Sequence, residues 1–143
     1  MRRLIFITFF ILIVVWLSSM LSTAFDNKID IKPVDEQNII VVSSPINNAE
    51  VSSPLIVAGR ARGSWFFEAS FPIILLDQYG NVIAESHAAA QDTWQTNDFV
   101  KFIGNIQYNN YIKGTKGTLL LKKDNPSGLP ENDASIRIPV ILK

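Results

Sequence analysis

In the run Leu55-Ile56-Val57-Ala58-Gly59-Arg60-Ala61-Arg62, the side chains of Leu55, Val57, Gly59 and Ala61 fall on one side and those of Arg60 and Arg62 on the other. That is a period of two, the spacing of a strand with one buried face, and not the 3.6 of a helix. The rule repeats over Phe66 to Leu76, where Phe67, Ala69, Phe71, Ile73 and Leu75 share a side. Pro72 lies inside that run, so this strand must offer it an edge, a bulge or a break. Asp77-Gln78-Tyr79-Gly80-Asn81 then reads as a hairpin turn, with Gly80 supplying a positive φ. The chain returns as a strand over Asn81 to Ala90.

The same grammar extends outward in both directions. Upstream, Ile39 to Val42 is a short strand closed by Ser43-Ser44-Pro45. Downstream, Phe99 to Tyr108 places Val100, Phe102, Ile106 and Tyr108 on one face, and Thr118 to Lys123 and Ser135 to Leu142 follow. Asn125-Pro126-Ser127-Gly128-Leu129-Pro130 is rich in turn residues and reads as the loop between the last two strands. About seven short strands with no amphipathic helix predict an all-β, two-sheet sandwich. Trp65 or Trp94 is the expected large filler of its core.

The N-terminus follows a different logic. Met1-Arg2-Arg3 is basic, Leu4 to Leu17 is apolar, and Ser18 to Ala24 is more polar and ends in small residues. This is the layout of a secretory signal, with Ser22 and Ala24 small enough for cleavage after Ala24. Residues 4–21 are also nearly long enough for a retained membrane anchor, and the leading arginines then set an N-in, C-out orientation. Both readings put Phe25 onward outside the cytoplasm. Asp26 to Gln37 mixes acids and lysines around Pro33 without an apolar face, as a tether does. The expected organisation is therefore signal or anchor at 1–24, tether at 25–37 and a sandwich domain at 38–143.

Composition narrows the functional classes. The chain of 143 residues has no cysteine, which excludes disulfides, a thiolate metal site, a cysteine nucleophile and a lipid-modified cysteine. Thirteen basic residues balance thirteen acidic ones, and without Arg2 and Arg3 the exported part stands near −2. No basic footprint for nucleic acid is present.

The residues Gly59-Arg60-Ala61-Arg62-Gly63-Ser64-Trp65-Phe66-Phe67-Glu68-Ala69-Ser70-Phe71-Pro72 resemble the signature of the immunoglobulin-like domain of bacterial spore germination, a family found beside GerMN-type domains. Ser43-Ser44-Pro45, Val51-Ser52-Ser53-Pro54, Trp94-Gln95-Thr96, Phe99-Val100-Lys101-Phe102, Asp124-Asn125-Pro126-Ser127-Gly128 and Ile138-Pro139-Val140 agree in order. The resemblance spans Asn38 to Leu142. It implies an immunoglobulin-like fold and a cell-envelope setting, and it implies no established chemistry. No companion domain of that kind is read in these 143 residues, which leaves the process served open.

Reactive constellations are sparse. His87 is the only histidine, it falls in a strand, and no Gly-x-Ser-x-Gly or Ser-x-x-Lys accompanies it. No catalytic residue, metal ligand set or cofactor is expected. Asp77, Asn81 and Asp92, or Asp124, Asn125 and Asp133, offer hard oxygens for calcium, but these residue types favour turns for local reasons. The candidate interaction surface is Arg60, Arg62, Trp65, Tyr79 and Trp94, the aromatic and arginine composition of binding hot spots. Against it stands a structural role for the signature: Trp65 and Phe67 filling the core, Glu68 clamped to an arginine, and Gly59, Gly63, Phe71 and Asp77 holding the fold. The expected function is a non-enzymatic binding or scaffold module for a protein or cell-wall polymer. Assembly through a sheet edge is the alternative, and a small cell-wall hydrolase the third reading.

Overall fold

The computed structural model describes residues 39–109 and 111–143; the expected signal or anchor and the tether lie outside the described residues. Eight strands run as β1 (Ile40–Ser44), β2 (Ala49–Val51), β3 (Leu55–Arg62), β4 (Ser70–Leu76), β5 (Val82–Ala90), β6 (Phe99–Ile106), β7 (Lys116–Lys122) and β8 (Ser135–Leu142). Short 3₁₀ turns occupy Gly63–Trp65 and Pro130–Asn132. Among the described residues no helix is long and apolar enough to cross a membrane.

Hydrogen bonding is continuous in the order β1-β3-β6-β5-β4-β7-β8-β2, so the domain is one curled eight-stranded sheet where two separate sheets of about seven strands were expected. The cause is β5. It pairs with β4 from Ser70↔Ala89 to Leu76↔Val82, and its last residues also pair with β6 at Ala88↔Gly104, Ala89↔Ile103 and Ala90↔Phe102. The curl brings β6 and β4 face to face. The Phe71 and Phe102 rings meet edge-on at 4.9 Å although their strands are not neighbours in the sheet. The added strand is β2. It continues the direction of β1 after a four-residue step at 45–48, which moves the chain from one edge of the sheet to the other, where β2 pairs parallel to β8.

The period-two pattern sets the core. Val100, Phe102 and Ile106 of β6, Leu55, Val57 and Ala61 of β3, and Phe71, Ile73 and Leu75 of β4 are all buried. Burial of each large side chain contributes about 1.5–3 kcal/mol. Pro72 is accommodated because β4 acquires its second neighbour, β7, only from Ile73↔Leu121. Pro139 stands alike in β8, one residue before the β2 pairing opens at Ala49↔Val140.

One stretch departs from the expected strand. The sequence predicted extended chain from Phe66 to Leu76, but β4 begins at Ser70. The 3₁₀ turn at Gly63–Trp65 and the positive φ of Glu68 (48°) and Ala69 (61°) shift the alternation. Trp65 and Phe66 therefore turn inward, at 2% and 4% exposure, and Phe67 turns outward at 40%. Phe67 does not fill the core, and the Trp65 ring packs edge-on against Phe71 at 6.1 Å.

The antiparallel registers define two ends. The near end carries Ile39, where the chain enters, with the 63–69 connection and the loops 91–98 and 123–134. The far end carries the 77–81 turn, the 107–115 loop and the C-terminus.

Candidate interaction surface

Arg60 and Arg62 project from the outer side of β3, as alternation requires. Register sets Arg62 opposite Phe99 and Arg60 opposite Lys101 on β6. Both guanidinium groups lie over the Phe99 ring, at 4.2 Å for Arg62 and 5.1 Å for Arg60. Such contacts contribute about 0.5–1 kcal/mol each at exposed sites and fix two otherwise mobile side chains. Arg62 also donates through Nη1 to the Asn97 carbonyl at 3.1 Å. Neither arginine clamps Glu68, which is exposed; among the described residues the ion pair is Lys143 with Glu50 at 3.0 Å.

Toward the far end the same face becomes apolar. Ile56 and Ile103 are 47% and 48% exposed, with Ala58 between them in register opposite Ile103. A shallow groove of about 470 Å³ opens there, its walls formed by Val41 and Ser43 of β1, Arg60, Lys101, Ile103 and Gln91. The pairing of β1 with β3 slips between Val42 and Ser44, and the Ser43 hydroxyl donates to the Ala58 carbonyl at 3.0 Å. Gly59 allows the close approach of β1: a Cβ there would stand 2.2 Å from the Val41 oxygen and 2.7 Å from the Phe102 ring. The surface is thus an apolar strip with cations along its near side.

The structure gathers only part of the expected set. Arg60 and Arg62 sit together. Trp94 is half-buried against the core in the 91–98 loop at the near end, its carbonyl accepting the Thr96 N–H at 2.8 Å. Trp65 is buried and belongs to the core, not to the surface. Tyr79 is 80% exposed, but it tips the turn at the far end, separated from Trp94 by the length of β5. Sequence reasoning missed Phe99, Lys101, Ile56 and Ile103. The signal was present, because alternation puts Ile56 on the same side of β3 as Arg60 and Arg62, and Ile103 on the same side of β6 as Lys101 and Asn105.

The polar loop residues are occupied locally. The Asp77 carboxylate accepts the N–H groups of Tyr79 and Asn81, each at 2.8 Å, and the Asn81 carboxamide at 2.9 Å. The Asn81 side chain is the largest cause that holds the Asp77 carboxyl below its ordinary value; desolvation opposes it, and the backbone donors add to the lowering. Asn125 donates to Asp133 and to the Leu129 carbonyl, both at 2.8 Å, closing the 123–134 loop. Among the described residues no three of His, Asp and Glu converge, and His87 is exposed on β5 opposite Pro72.

No curated protein and no solved structure matches the chain. The model of one family matches residues 39–128, which takes in β1 through β7 and stops short of β8. With that match covering more than half the sequence, on a curled all-β scaffold, the chain belongs to the family of the immunoglobulin-like domain of bacterial spore germination.

Proposed function

We propose that this domain is a non-catalytic binding module of the bacterial cell envelope, which holds a protein partner on the outer face of β1, β3 and β6. The observation that carries the reading is the strip of exposed Ile56 and Ile103 with half-buried Ala58, beside Arg60, Arg62 and Lys101. Apolar surface supplies association free energy at about 25 cal/mol per Å² before the costs of binding. Arginines fixed on an aromatic ring lose little freedom when a partner's carboxylates dock, so an acidic rim is the complement. The N-terminal segment at 1–24 would place this face outside the cytoplasm, tethered or released. In this reading His87 is an exposed strand residue of β5.

Site-specific photo-crosslinking in cells tests the proposal. A crosslinker at Ile103 of the full chain should give a discrete adduct that an Arg60→Glu, Lys101→Glu double substitution removes. One at Glu85, on exposed β5, should give none. Equal labelling at the two positions, or an adduct indifferent to the charge reversal, overturns the face. A second reading, assembly through a sheet edge, draws on β1, which has a single hydrogen-bonded neighbour. Light scattering of residues 25–143 separates them: a strict monomer at high concentration rejects self-assembly.

A further inference from the structure

At the far end, opposite the point where the chain enters, a second surface has a different chemistry. A hollow of about 270 Å³ lies between the 77–81 turn and the 107–115 loop, lined by Gln78, Tyr79, Tyr111, Ile112 and Thr115 over Asp77. Tyr79 and Ile112 flank it at 80% and 70% exposure, unusual for large apolar side chains on two separate loops. It is smaller than the ~300–1,000 Å³ of pockets for drug-sized ligands.

Both walls are already built. The turn is fixed by the three bonds to the Asp77 carboxylate and by Gly80 at φ +89°. The loop is strapped to the C-terminus. Tyr111 donates its hydroxyl to the Lys143 carbonyl at 2.6 Å, the Gly114 N–H meets the Leu142 carbonyl at 2.6 Å, and the Leu142 N–H meets the Thr115 carbonyl at 2.9 Å. Tyr111 packs edge-on against Tyr108 at 4.9 Å. A ligand would therefore meet little ordering cost here.

We infer that this hollow is a binding site for a neutral glycan, one sugar unit stacking on Tyr79 while its hydroxyls meet Gln78 and Thr115. A pyranose offers an apolar C–H face and a rim of hydroxyls, and the hollow offers an exposed aromatic with an apolar neighbour beside a carboxamide and a hydroxyl. The Asp77 carboxylate on the floor repels phosphate and carboxylate groups, which selects a neutral sugar over an anionic polymer or lipid headgroup. Lys113 follows Ile112 but does not line the hollow. The site is independent of the β1-β3-β6 face.

Titration of the detergent-solubilised full chain with chitotetraose, a neutral β-1,4 N-acetylglucosamine oligomer, followed by calorimetry and by NMR, tests this. Saturable binding near about 1 mM is expected, with shifts confined to 77–81 and 107–115. Tyr79→Ala should weaken it at least tenfold with an unchanged circular dichroism spectrum, Tyr79→Phe should retain it, and Arg60→Glu should leave it alone. No shift with the sugar, shifts elsewhere, or Tyr79-dependent binding to phosphatidylglycerol vesicles in place of the sugar would overturn the assignment.

Discussion

Trp65 is buried with its indole Nε1 unpartnered, at the cost of a desolvated donor. Its ring contributes volume against Phe71, so truncation and conservative replacement should separate. Trp65→Ala is expected to lose about 3–5 kcal/mol in urea unfolding. Trp65→Phe, which removes the orphaned donor with part of the ring, should lose under about 1.5 kcal/mol. Similar losses for the two would mean that the N–H is satisfied in solution. Gly63 is constrained from the other direction: a Cβ there would stand 1.9 Å from the Thr96 oxygen and 2.3 Å from the Trp94 oxygen. Gly63→Ala should therefore cost about 1–3 kcal/mol or more and displace the 91–98 loop, seen as Trp94 fluorescence moving toward that of solvent-exposed indole. Asp77 titrates below its ordinary 3.8 in the folded chain. A depressed carboxyl pKa gives stability that is complete above 3.8 and is lost as pH falls through the folded value. Acid unfolding of the native chain should thus show a component below pH 3.8 that Asp77→Asn lacks, measured as the midpoint difference between the two at pH 6 and pH 3.

At the scale of elements, alternation was enough to locate every strand but β2 and most of the core. β3, β6 and β4 as far as Leu75 follow it, because each has one face against the core and one away from it; at Leu76 the register shifts and two successive leucines are buried. The rule failed where backbone conformation changed inside an apolar run. Nothing in Trp65-Phe66-Phe67-Glu68-Ala69 announces a 3₁₀ turn followed by two positive φ angles, since neither glutamate nor alanine favours that region. The break falls between Phe67 and Ser70, so Phe71, Ile73 and Leu75 stay inside as alternation predicts while Phe67, grouped with them in the sequence, faces out; of the two readings of Trp65, core filler and surface residue, the core one holds. β2 was missed for another reason: three residues are too few to show a period, and their pairing partner in β8 lies some ninety positions away. The candidate face was half legible. Arg60 and Arg62 stood out as charges, whereas Phe99 and Lys101 matter through cross-strand register, which only the fold supplies. Ile103 tests the element directly. Ile103→Ser, on an exposed face, should change stability by no more than about 0.5 kcal/mol in urea unfolding. A much larger loss would show that Ile103 is a packing residue and not a docking one.

For the whole molecule, the open question is what holds the curl closed, since β1 and β2 are the two edges of one sheet and no disulfide joins them. Tyr108 supplies a tie. It follows β6, in the half of the sheet that contains β3, yet its hydroxyl donates to the carbonyl of Val51 in β2 at 2.9 Å, and its N–H donates to Ser53 Oγ at 2.9 Å. Because the phenol is 6% exposed, burial first and the neighbouring Tyr111 second raise its pKa above the ordinary 10.0. A group with a raised folded pKa contributes stability that is full below its unfolded value and is lost as pH rises through the folded one, so the closure should weaken above pH 10. Tyr108→Phe keeps the ring and removes the bond, leaving the Val51 carbonyl without that donor. It should cost about 1–2 kcal/mol at pH 7, raise hydrogen exchange in β2 and β8 more than in β4, and flatten the alkaline part of the stability curve. Uniform exchange across the sheet, or an alkaline profile that the substitution leaves intact, would place the closure in side-chain packing between the layers instead of in this bond.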